Sequence, residues 1–329
     1  MKKKITTILQ ILFGIGLIVY LLIRMYNKGE LGNIWLSFQK ASSNAIYLFF
    51  AFSCFFLCLL ICMSRWNILL KSQSIHLPFH KIFVLFFIGH FFNSFMPGAT
   101  TGDILKAYYV ARSTPNKETE SISTIVLDRL IGLIVLIALT IFIMLIRLNF
   151  FLLYPETRIA LAFNLVIFFM AIFVFTIIFR KSFFEQFAIF RTLEHKTALG
   201  SIIKRIYNVF SSSFCSAKIL FSTSILSLIN HICFIGMSFF VGMALEIPLN
   251  FWQYLTVFPI INAIAAMPIT PGGLGARETA AVFLLGTLKV AEPVALSLSL
   301  LGYTIVLSWS LVGGIIYLIF IIQQGKQTR

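Results

Sequence analysis

Six apolar stretches dominate the chain, at roughly 5–26, 43–63, 121–146, 159–179, 218–244 and 294–322. Each reaches the length of about 20 residues that a helix needs to cross a bilayer. They are continuous and lack the period-two alternation of barrel strands, so the expected spans are helical. Hydrophobic residues make up 59% of the 329 and charged residues only 11%, where soluble domains carry about 25% charge. This excludes a soluble globular domain, a disordered chain and a disulfide scaffold. The expected fold class is an all-α polytopic membrane protein. Lys2-Lys3-Lys4 before the first apolar run resembles the start of a signal peptide. No small-residue cleavage site follows, so a retained first span is expected.

Two further apolar stretches are broken. The first, 82–96, is interrupted by Met96-Pro97-Gly98-Ala99-Thr100-Thr101-Gly102-Asp103 and resumes at 104–111. The second, 252–267, is interrupted by Pro268-Ile269-Thr270-Pro271-Gly272-Gly273-Leu274-Gly275 and resumes at 276–290. Pro and Gly at this density stop a helix, and each piece is too short to span. Two re-entrant hairpins are the economical reading. With the N-terminus inside and both hairpins returning, eighteen of the 26 Lys and Arg fall on the cytoplasmic side and seven outside. That is the bias a multi-pass protein of the cell membrane should have, with both termini cytoplasmic. The same bias explains the net charge of +15 through anionic lipid, and nucleic acid is not expected as a partner.

The pattern of span, broken hairpin and span occurs twice, so an inverted-topology repeat is expected within a single domain over 1–329. Its parts are a first span at 5–26, repeat 1 at 43–148 and a linking span at 159–179. A basic cytoplasmic loop at 180–217 and repeat 2 at 218–322 follow. The loop, basic and broken by aliphatics, suits an amphipathic helix on anionic lipid, or a solvated loop.

Chemistry concentrates at the breaks. Thr100 and Asp103 fit a capping box for the second half of the first hairpin, and Gly275 and Glu278 hold the equivalent place in the second. They can simply cap orphan N–H groups, or help aim half-helix N-termini at an anionic headgroup. The expected headgroup site takes Asn93, Pro97, Gly98, Thr100, Thr101, Gly102 and Asp103 from the first tip. From the second it takes Asn262, Thr270, Pro271, Gly272, Gly273, Gly275, Arg277 and Glu278. Asp128 and Arg129 lie inside an apolar span, where each charge costs about 2.5–3.5 kcal/mol even on lenient scales. A structural ion pair of Arg129 with Asp103 or Glu278 and a contact of Arg129 with lipid phosphate both satisfy that demand. Arg65-Trp66 reads as an interfacial anchor. Cys54, Cys58 and Cys62 form a stripe on one helix face and read as small hydrophobes. The five His are scattered, and no metal-ligand spacing, phosphate loop or nucleophile elbow occurs. Neither cofactor nor metal is expected, and an enzyme is not.

Three blocks carry a resemblance: Phe92-Asn93-Ser94-Phe95-Met96-Pro97-Gly98 with Gly102-Asp103; Asp128-Arg129-Leu130-Ile131-Gly132; and Thr270-Pro271-Gly272-Gly273-Leu274-Gly275-Ala276-Arg277-Glu278. Together they resemble the lysylphosphatidylglycerol synthase transmembrane-region family, the flippase half of the multiple peptide resistance factor. The resemblance covers nearly the whole chain. It implies translocation of a phospholipid or a related anionic or isoprenoid lipid between leaflets. In two-part relatives a soluble aminoacyl-transferase domain follows the membrane region, and none is expected here, so lysyl transfer is not implied. A non-catalytic partner of a separate lipid-modifying enzyme or glycosyltransferase is the alternative. A homodimer stays open.

Overall fold

In a computed structural model the described residues are 2–96, 101–153, 155, 157–159, 161–162, 164–166, 168–170, 217–267 and 270–327. They form helices and no strand. The elements are α1 (Lys2–Asn27), α2 (Leu31–Ser43), α3 (Ala45–Ser72), α4 (Phe79–Phe95), α5 (Thr101–Arg112), α6 (Glu118–Ile146) and α7 (Leu148–Leu153). A short apolar helix, α8 (Thr157–Met170), follows. After it come α9 (Ala217–Ala244), α10 (Phe251–Ala266), α11 (Ala276–Gly286) and α12 (Glu292–Gln327). Among the described residues α1, α3, α6, α9 and α12 are long and apolar enough to cross a bilayer. The chain is an all-α polytopic membrane protein. The expected linking span runs past the described part of α8, and the 180–217 loop lies outside the described residues up to α9.

Outward faces are apolar. Phe142, Leu145, Leu318 and Phe221 are 60%, 64%, 62% and 69% exposed, as expected of helix faces turned to a membrane. Inward faces bury Trp66, Tyr254, Phe87 and Phe151. Small residues let backbones meet, as is usual where helices pack without a hydrophobic drive between them. Gly102 of α5 lies against the Gly89 carbonyl of α4, and Gly275 against Gly14 of α1. Adding a methyl at Gly102 would meet the Gly89 oxygen and Asn93. Gly102→Ala is therefore expected to lower stability by roughly 1–3 kcal/mol, read as the unfolding temperature in detergent.

Polar ties fix the two ends of the bundle. At one end Lys117 of the α5–α6 turn donates to the Gln73 and Ser74 carbonyls just after α3, at 3.3 and 2.9 Å. The α4–α5 pair thus leaves from this end and returns to it. At the other end Arg24 and Lys28, late in and just past α1, reach Glu292 at the start of α12, at 2.7 and 2.8 Å. There Asn44 also donates to the Ala244 carbonyl that closes α9, at 3.2 Å. The α10–α11 pair therefore begins and ends at this opposite end. Each broken pair packs across the molecule: α4 lies on α12, α10 lies on α6, and α3 lies on α9.

Two details depart from the sequence reading. α2 is an amphipathic helix in the stretch between the first two expected spans, for which no element is predicted, and Trp35 and Leu36 are 68% and 54% exposed. α3 runs to Ser72 rather than ending near 63. Arg65 and Trp66 are consequently not an interfacial anchor. They are 5% and 0% exposed inside the bundle, because Arg65 finds a buried carboxylate.

Candidate functional site

α3 and α6 run antiparallel, and a polar layer forms where they face each other. Asp128 is ten residues into α6, about 15 Å from its start. Arg65 lies seven residues before the end of α3, about 10 Å in. Their side chains meet, Arg65 Nε donating to Asp128 Oδ1 at 2.7 Å. Arg65 Nη1 also donates to Ser227 Oγ of α9 at 2.5 Å. Gly132, one turn further along α6, leaves room for the guanidinium: a Cβ there would lie 3.3 Å from Arg65 Nη1. Both partners are nearly inaccessible, with side chains 7% and 9% exposed.

Arg129 follows Asp128 in sequence but points elsewhere, because adjacent helical residues do not share a face. Its Nε and Nη2 donate to Asp103 Oδ2 and Oδ1 at 2.8 and 3.1 Å. The Asp103 side chain is 16% exposed, while that of Arg129 is 58% exposed. Asn93 completes this corner. Its Oδ1 accepts from the Gly102 N–H at 2.9 Å and its Nδ2 donates to Asp103 Oδ1 at 3.2 Å. Asn93, from α4, therefore caps the first turn of α5, and Asp103 is committed to Arg129 as well.

These side chains line a cavity of about 220 Å³ between α3, α4, α5, α6 and α9. Asn93, Asp103, Asp128, Arg129 and Arg65 all reach it, joined by Lys106, His90, Cys62 and Asn230. Cys62 Sγ donates to Asn230 Oδ1 at 3.4 Å. The His90 Nε2 is buried without a hydrogen-bond partner among the described residues. Lys106 was counted in the sequence as a cytoplasmic charge, yet it is 4% exposed. One signal could have found it: Lys106 stands three residues after Asp103 in a short helix, so both share a face. Asn230 showed only as a polar residue in the apolar run of α9.

The second broken pair is built differently. Its turn passes through Gly272, Gly273 and Gly275 at φ 63, 72 and 82°, a region L side chains avoid. Glu278 is fully buried. Its Oε2 accepts from the Gly275 N–H at 2.6 Å, and its Oε1 from Arg277 Nη2 at 2.8 Å and Ser299 Oγ at 3.1 Å. Arg277 lies over the Tyr303 ring at 4.2 Å. Gly275 abuts α1 and Gly273 abuts Ala265. These glycines make room for protein backbone, and the Glu278 cluster is internally satisfied.

Among the described residues, Asn93, Asp103, Asp128 and Arg129 of the expected headgroup site line this cavity. The cavity draws on the first pair and takes none of Asn262, Thr270, Gly272, Gly273, Gly275, Arg277 or Glu278. Thr101 and Gly102 start α5, and Pro271 begins the short turn. Pro97, Gly98 and Thr100 lie outside the described residues.

A model of the lysylphosphatidylglycerol synthase TM region matches residues 7–321. The chain belongs to this family. Over 281 residues it is 27% identical to UPF0104 membrane protein PH1989 of Pyrococcus horikoshii, which covers 79% of this chain and 82% of that one. The stretch matched to the lysylphosphatidylglycerol synthase TM region holds both broken pairs and every residue of the cavity.

Proposed function

We propose that the protein is a lipid translocase of the cell membrane that carries a phospholipid or related lipid headgroup through the α3–α6 cavity, without chemically modifying it. The observation that carries this reading is a charged pocket about 10–15 Å along α3 and α6, two antiparallel helices long and apolar enough to cross a bilayer. Charges at that depth are costly and belong where polar cargo passes. Arg129 adds a guanidinium whose side chain is more than half exposed, suited to a phosphate. The reciprocal packing of α4 on α12 and α10 on α6 supports an inverted repeat. Rocking of one half against the other would then open the cavity to each leaflet in turn. Both termini would be cytoplasmic.

The test is acyl-labelled lipid in liposomes with purified protein, reading exchange between leaflets with an impermeant quencher. Exchange at the protein-free rate for every lipid would discard translocation and leave the role of partner to a separate lipid-modifying enzyme. Topology has its own expected outcome. Cysteines introduced as Pro115→Cys and Gly286→Cys, in a background lacking the five native Cys, should label with a charged thiol reagent from the cytoplasmic and outer sides respectively. Labelling of both from one side would remove the inverted repeat.

A further inference from the structure

The cavity carries three cations, Arg65, Lys106 and Arg129, and two carboxylates, Asp103 and Asp128. Each carboxylate already holds an arginine, Asp128 with Arg65 and Asp103 with Arg129. Lys106 is left over. Among the described residues no carboxylate lies within 4.0 Å of its ammonium, although the residue is 4% exposed. Instead Nζ rests 3.6 Å from the centre of the Trp66 ring and 4.9 Å from that of Phe86. Trp66 is itself fixed, its Nε1–H donating to Thr124 Oγ1 at 3.0 Å.

A buried cation demands a counter-charge, and aromatic faces meet that demand only in part. An ammonium is a compact donor of three hydrogen bonds, fit for a phosphate oxygen that arrives without a fixed approach angle. We propose that Lys106 receives the headgroup phosphate together with Arg129, and that its surplus charge selects lipids whose headgroup is net anionic. This deepens the translocase reading and rests on the same cavity. A phosphodiester with an uncharged alcohol brings one negative charge and balances the surplus. A zwitterionic amine lipid brings its own cation and leaves the surplus in place. A lysylated phospholipid, with two amines against one phosphate, adds to it.

The first measurement is binding in detergent, which does not depend on transport. Short-chain phosphatidylglycerol, short-chain phosphatidylcholine and inorganic phosphate are titrated against the unfolding temperature of wild type, Lys106→Gln and Lys106→Arg. Phosphatidylglycerol is expected to act at a concentration at least about tenfold below phosphatidylcholine on wild type. Lys106→Gln should erase that preference and Lys106→Arg keep it. Inorganic phosphate matching phosphatidylglycerol would assign the site to free phosphate and overturn the lipid selection. Equal action of both lipids on wild type, or a preference that survives in Lys106→Gln, would overturn the proposal. If Lys106→Gln does not fold, the wild-type comparison and Lys106→Arg still decide it. The same variants in liposomes separate the two ideas. Selective binding without leaflet exchange would discard translocation and keep the anion site.

Discussion

Arg65→Met is expected to destabilise the protein by roughly 3–5 kcal/mol, because it strands the Asp128 carboxylate in the bundle. The side chains are 7% and 9% exposed and 2.7 Å apart, and Ser227 can offer Asp128 only a weak substitute. Replacing both partners, Arg65→Met with Asp128→Leu, should recover much of the loss, since an apolar pair of similar volume tolerates burial. Arg65→Lys should fall between, keeping the charge but losing the planar fork that serves Asp128 and Ser227 together. Thermal unfolding of the detergent-solubilised proteins checks the series. A loss below about 1 kcal/mol for Arg65→Met would place the pair in water and contradict its burial.

The same residue marks the limit of what the sequence disclosed. Hydropathy ends a span at a charge, so 43–63 stopped short of Arg65, whereas α3 continues to Ser72. The charge is cancelled by a residue 63 positions away, and no local pattern reports that. Class and breaks were readable because they depend on local physics. Long apolar runs demand helices in lipid, and Pro and Gly end α4 near Met96 and α10 near Met267. The amphipathic α2 was lost because Leu31–Ser43 is too polar to span and too short to stand out. Of the candidate headgroup residues, Asn93, Asp103, Asp128 and Arg129 meet in one cavity. The second tip looked equivalent in Gly and Glu spacing, yet Gly14 packs into it and Glu278 closes on Arg277 and Ser299. Pairing and packing partners, not residue types, separate the two tips.

Arg129 is where the functional reading is most exposed to failure. Arg129→Ala is expected to cost clearly less stability than Arg65→Met, because its side chain is 58% exposed where that of Arg65 is 7% exposed. Asp103 would keep its bond from Asn93 and the favourable N-terminal dipole of α5. Lipid exchange, in contrast, should fall roughly 10- to 100-fold, the range set by losing a charge-assisted hydrogen bond to phosphate. Arg129→Lys should retain part of the rate, having the charge without the bidentate fork. Both quantities are to be read on the same preparations as the Arg65 series. The adjacent pairs then act as mutual controls, since Asp128 and Arg129 sit at the same depth but face opposite needs. An Arg129→Ala protein as unstable as Arg65→Met, with exchange restored by removing Asp103 as well, would make Arg129 a structural partner. A stable Arg129→Ala protein that no longer exchanges lipid would instead assign the guanidinium to the headgroup, since its pairing with Asp103 would then be dispensable to the fold.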